Sequence, residues 1–328
     1  MSNETILWII FAIIVPVVLV LDLGVFQRKT HAIKTKEALI GTAAYVALAL
    51  IFAGVIYFML GAHQSFTFLT GYIVEWSLSM DNLFVFILIF STFCVPSEYQ
   101  HRVLFWGIIG ALLMRGIFII SGLAILNALH WVIYVFGAFL IYTGVKIATK
   151  KEANVDPKKN PLFRLACKYL PVVDDYRGAK FFTRENARWM ATPLFLVLLV
   201  VESTDVVFAV DSIPAILSIT TDSFLIYTSN VFAILGLRSL YFALAGATNR
   251  LVYLSYGLAA ILTLLGVKMI ITSEGFSDLL SRLFNTQIHI SVPVYVSLGA
   301  VVGILAIAAL ASFLWPPKKK GQAPEGEE

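Results

Sequence analysis

The sequence predicts an all-α polytopic membrane protein of about nine transmembrane helices, built on two inverted three-helix repeats, with the N-terminus outside and the C-terminus inside. Three observations carry that reading. The first is composition: 59% of the 328 residues are hydrophobic and only 13% are charged, with a mean hydropathy of +0.86, whereas a soluble globular chain carries about 25% charged residues. The second is the placement of lysine and arginine along the chain. The third is an acidic motif that occurs twice.

A helix needs an apolar run of about 20 residues to cross the hydrocarbon of a bilayer. Nine such runs lie at 5–26, 39–61, 67–93, 103–126, 129–149, 192–219, 223–246, 251–272 and 289–315. The first, "ILWIIFAIIVPVVLVLDLGVF", has neither a basic start nor a small-residue cleavage site, so it is expected to be a retained span rather than a signal peptide. With the second run it makes an N-terminal pair of helices over 1–66. The next three runs make a unit at 67–149. A polar stretch, 150–191, follows; within it "PLFRLACKYL" puts Leu162, Leu165, Ala166 and Tyr169 on one helical face, which predicts a short helix lying on the inner membrane surface. Three more runs make a unit at 192–272. An outer loop and a last helix occupy 273–315, and the tail 316–328, "PPKKKGQAPEGEE", has the composition of a disordered cytoplasmic segment.

Basic residues gather on the cytoplasmic side of membrane proteins. With the N-terminus outside, nineteen of the 24 lysines and arginines fall in inner segments and only Arg282 falls in an outer one. The other four, Arg115, Lys146, Arg238 and Lys268, lie inside spans. Lys146 and Lys268 are within reach of span ends and can snorkel to the interface. Arg115 and Arg238 are deeper and call for a partner.

The internal repetition runs through these residues. "EWSLSMDNLFVF" (Glu75–Phe86) and "DVVFAVDSIPAI" (Asp205–Ile216) both read acid, five residues, Asp, then a small polar residue. Downstream, "RGIFIISG" at Arg115 matches "RSLYFALAG" at Arg238, and "LIYTGVKIA" at Lys146 matches "LTLLGVKMI" at Lys268, with Arg-to-Lys separations of 31 and 30 residues. Each repeat crosses the membrane an odd number of times, so the second is inverted relative to the first. Secondary transporters are built this way and bind near the midplane where the repeats meet.

A carboxylate at the bilayer centre costs about 2.5 kcal/mol or more, yet Glu75, Asp81, Glu202, Asp205 and Asp211 all lie in spans. Five acids against Arg115 and Arg238 leave three negative charges uncompensated. Either protons occupy some of the acids or a cation does; a set of plain ion pairs is the competing reading. At 100° per residue Glu75, Ser79 and Asn82 share a helical face, as do Glu202, Asp205, Ala209 and Ser212. Pro214 is expected to interrupt its helix beside Asp211 and free carbonyl oxygens. Carboxylates, the Asn82 amide and the Ser212 hydroxyl make an all-oxygen set, which suits Mg²⁺, Ca²⁺ or Mn²⁺ rather than Cu(I) or structural Zn²⁺. Asp22, near the inner end of the first span, reads as interfacial. Tyr72 occupies the place that matches Glu202, as a hydrogen-bond donor or as packing.

The sequence excludes several classes. It holds no P-loop, no dinucleotide-binding glycine motif, no zinc-hydrolase motif and no serine-nucleophile elbow. Cys94 and Cys167 fit no metal spacing or disulfide framework. No enzyme activity, organic cofactor or nucleic-acid partner is therefore expected.

On "GYIVEWSLSMDNLFVF", "VESTDVVFAVDSIPAI" and "SNVFAILGLRSLYFAL" the chain resembles the TerC family of membrane proteins, particularly its Alx branch, tied to tellurium resistance and pH response. The resemblance covers nearly the whole chain. It implies manganese export across the bacterial inner membrane, with Glu75, Asp81, Glu202, Asp205 and Asp211 as ligands of the transported Mn²⁺. It also implies exported metalloproteins or the secretion machinery as partners. The expected function is thus a secondary exporter of divalent metal, coupled to protons. A metal-delivery scaffold in the membrane, or an exporter of Ca²⁺ or a basic amino acid, is the alternative.

Overall fold

In hydrocarbon a backbone N–H finds no water, so an apolar run closes its hydrogen bonds within itself and becomes a helix. The computed structural model describes residues 2–26, 35–129, 131–149, 161–185, 188–245, 253–273, 275–277, 281 and 291–314. The expected apolar runs are helical there: α1 (Asn3–Phe26), α2 (Thr35–Leu60), α3 (Ala62–Thr92), α4 (Ser97–Ala128), α5 (Val132–Thr149), α7 (Pro193–Leu217), α8 (Ser223–Leu235), α9 (Leu237–Ala245), α10 (Leu254–Ile271) and α11 (Val294–Leu314). Among the described residues eight helices are long and apolar enough to cross a membrane, and the α8–α9 pair, bent by 40°, brings the number to nine if the two cross as one broken span.

Two helices differ from expectation in an informative way. Pro214 does not interrupt α7, which continues through it to Leu217. The proline stands in the last turn, where one lost donor is a small defect. The turn still closes, Ser218 N donating to Pro214 O over 3.0 Å, and Ala215, Ile216 and Leu217 are buried against neighbouring helices. The break falls instead in the seventh run. There α8 ends at Gly236, and α9 starts afresh with Leu240 N donating to Gly236 O over 3.0 Å.

The polar stretch between the two units holds α6 (Pro161–Tyr169), as expected, and a small sheet that the sequence did not announce. Strands β1 (Phe182–Glu185) and β2 (Arg188–Ala191) pair antiparallel, Phe182 opposite Ala191. On α6, Ala166 and Phe163 turn toward the protein, with Phe163 5.3 Å from the ring of Phe93, while Leu165 and Tyr169 are exposed. The side chain of Leu162 lies outside the described residues. This segment is fastened to the adjoining ends of α3 and α4. The Tyr176 hydroxyl donates to Phe93 O over 2.7 Å, and Arg102 sits 5.2 Å over the ring of Phe181. Burial, with the Cys94 thiol nearby, pushes the Tyr176 phenol up to about 12, so it stays a neutral donor.

The helices of the two units are interleaved. α3 packs on α8, α4 on α7 and α5 on α10; α1 and α2 flank α3, α8 and α9, and α11 covers α3 and α10. Without a hydrophobic drive between helices in lipid, close backbone approach carries the packing. It is closest between α5 and α10. A Cβ on Gly144 would lie 2.6 Å from Ala259 O, and a Cβ on Gly266 would lie 2.6 Å from Gly137 O. The sequence register matches Gly144 with Gly266 and Gly137 with Ala259, so these two contacts are reciprocal.

Candidate functional site

Three of the charged residues inside the spans, Glu75, Arg115 and Asp205, converge where α3, α4, α7 and α8 meet. Glu75 projects from α3 and is 1% exposed; Arg115 projects from α4 and is 2% exposed. Charges so placed must be paired and hydrogen-bonded. One η-nitrogen of Arg115 donates to Glu75 Oε1 and, over 3.0 Å, to Asn230 Oδ1 of α8. The other stands 3.8 Å from Asp205 Oδ1 of α7. Ser79, one helical turn beyond Glu75, donates to the same Oε1 over 3.2 Å. Asn230 is fixed in turn, its amide nitrogen donating to Ile226 O over 3.1 Å.

Arg115 therefore joins the first acids of the two matched motifs, Glu75 and Asp205, which are 130 positions apart in sequence. The network is not saturated. Glu75 Oε2, Asp205 Oδ2, Ser212 Oγ and the Nε of Arg115 are buried with no hydrogen-bond partner among the described residues. Buried polar atoms without partners are costly, and two carboxylate oxygens among them are acceptors suited to a cation or a proton.

The remaining expected site residues take three positions. Arg238, buried on α9, lines a cavity of about 20 Å³ together with Asp205, Gly107, Ala111, Val201 and Phe86. Glu202, half-buried on α7, lies flat against α4, where a Cβ on Gly110 would overlap its carboxylate. Asn82 and Ser212 are buried on α3 and α7. The side chains of Asp81, Asp211 and Asp22 lie outside the described residues, and among the described residues no three His, Cys, Asp or Glu side chains cluster as for a metal. Tyr72 is buried and stacks on Phe68 at 6.5 Å, and among the described residues its hydroxyl has no hydrogen-bond partner. Lys146 is exposed, 5.7 Å over the ring of Tyr142, as a snorkelling lysine would be.

Sequence reasoning missed Asn230. Its only signal was a lone amide in an apolar run, and an intramembrane polar residue is by default a functional one. Gly110 was missed as well, since a glycine on a helix says nothing until its neighbour is known.

Comparison with known proteins identifies an integral membrane family. The sequence profile of the "Integral membrane protein TerC family" matches residues 60–320. The "Uncharacterized membrane protein STKORF319" of Myxococcus xanthus is 46% identical over 308 residues, covering 94% of this chain and 92% of that protein. The "Putative membrane-bound redox modulator Alx" of Escherichia coli (strain K12) is 42% identical over 310 residues, covering 92% of each. No solved structure matches the chain.

Proposed function

Since the chain belongs to the TerC family of integral membrane proteins, we propose that it is a secondary transporter that exports a divalent metal ion, Mn²⁺ foremost, across the bacterial inner membrane in exchange for protons. One observation carries the reading: a single buried arginine bridges Glu75 and Asp205, acids that two matched motifs bring to the same place. A positive group held between two carboxylates does what a bound cation would do there. Arg115 stands in for the ion in the empty carrier, and an incoming divalent cation displaces it.

The free oxygens Glu75 Oε2, Asp205 Oδ2 and Ser212 Oγ support this role, being hard oxygen donors of the kind Mn²⁺ and its neighbours prefer. Asp81, Asn82 and Asp211 complete the proposed ligand set from the same two motifs, and Arg238 balances charge opposite Arg115. Glu202, beside the site but off the Arg115 network, carries the proton. The reciprocal packing of α5 on α10 supports a pair of inverted repeats, one rocking against the other around the fixed acids. Deprotonated acids hold the cation, so an alkaline cytoplasm favours export.

The relatives' name attaches redox modulation to Alx. In this chain the free cysteines, Cys94 and Cys167, are exposed and apart from the buried acids. A metal-delivery scaffold would use the same acids but move nothing unaided. Purified protein in liposomes separates the readings: accumulation of Mn²⁺ on the acceptor side, driven by a pH gradient, is expected. Binding of Mn²⁺ without flux makes it a scaffold, and preferred flux of Ca²⁺, Mg²⁺ or lysine replaces the substrate.

A further inference from the structure

The two halves of the molecule are matched in sequence but not in filling. Eight residues before Arg238 stands Asn230; eight residues before Arg115 stands Gly107. The Asn230 side chain reaches Arg115 and fills its place. Beside it Ile216 of α7 packs so closely on α3 that a Cβ on Gly71 would lie 2.6 Å from Ile216 Cδ1. At the matched place in the other half, Gly107 has no side chain to offer. There the counterparts of Ile216 and Gly71, Phe86 and Val201, line the cavity of about 20 Å³ beside Asp205 and Arg238. That is room for about one water. With the orientation set by the basic residues, the filled half faces outward and the cavity faces inward.

We infer that Asn230 is a positioning residue that latches Arg115 across Glu75 and Asp205, and that Gly107 leaves the equivalent latch out of the other half. The molecule thus rests with its outer side locked and its inner side yielding. An asparagine amide is suited to this. Its oxygen accepts from the guanidinium while its nitrogen is tied to Ile226 O, so the acceptor is aimed and adds no charge to compete for a cation. Glycine at 107 leaves the inner half without the amide that Asn230 supplies to the outer half, and the cavity beside it gives the acids a path toward the cytoplasm. The inference rests on the two-repeat arrangement proposed above but not on the identity of the ion.

The test needs no metal, so its failure is distinct from failure of the transport reading. In a chain with Cys94→Ser and Cys167→Ser, a single Ile216→Cys reporter is labelled with a membrane-impermeant maleimide from outside intact spheroplasts. The parent should label slowly. Asn230→Ala should label about tenfold faster, the shift expected in a two-state equilibrium when one hydrogen bond to a charged group is lost. Gly107→Asn, which supplies the inner latch, should also label faster; its Cβ meets Val201 Cγ1 at 3.3 Å, which a valine rotamer can relieve. A control reporter, Leu262→Cys, buried on α10, should stay unlabelled in every variant. A parent-like rate in Asn230→Ala, a rate at or below the parent's in Gly107→Asn, or a parallel rise at Leu262→Cys would each overturn the inference.

Discussion

Arg115 is the residue on which the buried charges depend, and its removal leaves Glu75 and Asp205 without their shared partner. Breaking a buried pair from one side costs about 3–5 kcal/mol. Arg115→Met should therefore lower the thermal stability of the purified protein by roughly that amount, and adding Glu75→Gln should recover part of it. Lys146→Met, at an exposed position with no acid paired to it among the described residues, should change stability by less than about 0.5 kcal/mol. In transport, Glu75→Gln and Asp205→Asn should each abolish Mn²⁺ efflux at matched membrane levels; efflux at the wild-type rate from both would remove these acids from the ion site. The residues Glu75, Arg115, Asp205 and Arg238 were legible because charge in an apolar run is conspicuous. Asn230 was not, because its contact with Arg115 joins residues 115 positions apart and nothing local announces it.

At the scale of the element, apolar length located the spans but misjudged where a helix breaks. Proline in the last turn of α7 forfeits one hydrogen bond that packed neighbours absorb, whereas Gly236 ends α8 and lets α9 depart at 40°. Pro214→Ala should accordingly leave efflux near wild type, since no carbonyl ligand depends on a kink there; loss of efflux would restore the interrupted helix. The β1–β2 hairpin escaped notice because two four-residue strands in a charged stretch carry too little pattern to read. The segment that holds it is clasped by Tyr176 to Phe93 O. Tyr176→Phe should cost about 0.5–1.5 kcal/mol locally and speed proteolysis within 161–191. A phenol raised to about 12 when folded and near 10 when unfolded favours the folded clasp at all lower pH. That contribution fades only as pH climbs through this interval, so limited proteolysis should be insensitive to pH across the neutral range.

For the whole molecule, the fold class was legible because a bilayer allows so few solutions, and the interleaving of the two units was not, because it depends on which small residues meet. Reporter fusions should place residues 62 and 285 outside and residues 165 and 322 inside; a shared side for 165 and 285 would end the inverted arrangement. Helices α3 and α4 have 31 and 32 residues, which at 1.5 Å per residue is about 46–48 Å against a hydrocarbon core of about 30 Å. They must lean or protrude, and their lean follows the thickness of the surrounding lipid. α4 carries Arg115 and, at Gly110, the surface that shelters Glu202. A thinner or thicker bilayer would tilt that surface against α7 and alter how the carboxylate is covered. Bilayer thickness is thus an input to the protein, and flux in liposomes of short-, medium- and long-chain phosphatidylcholine should peak at one chain length and fall on both sides.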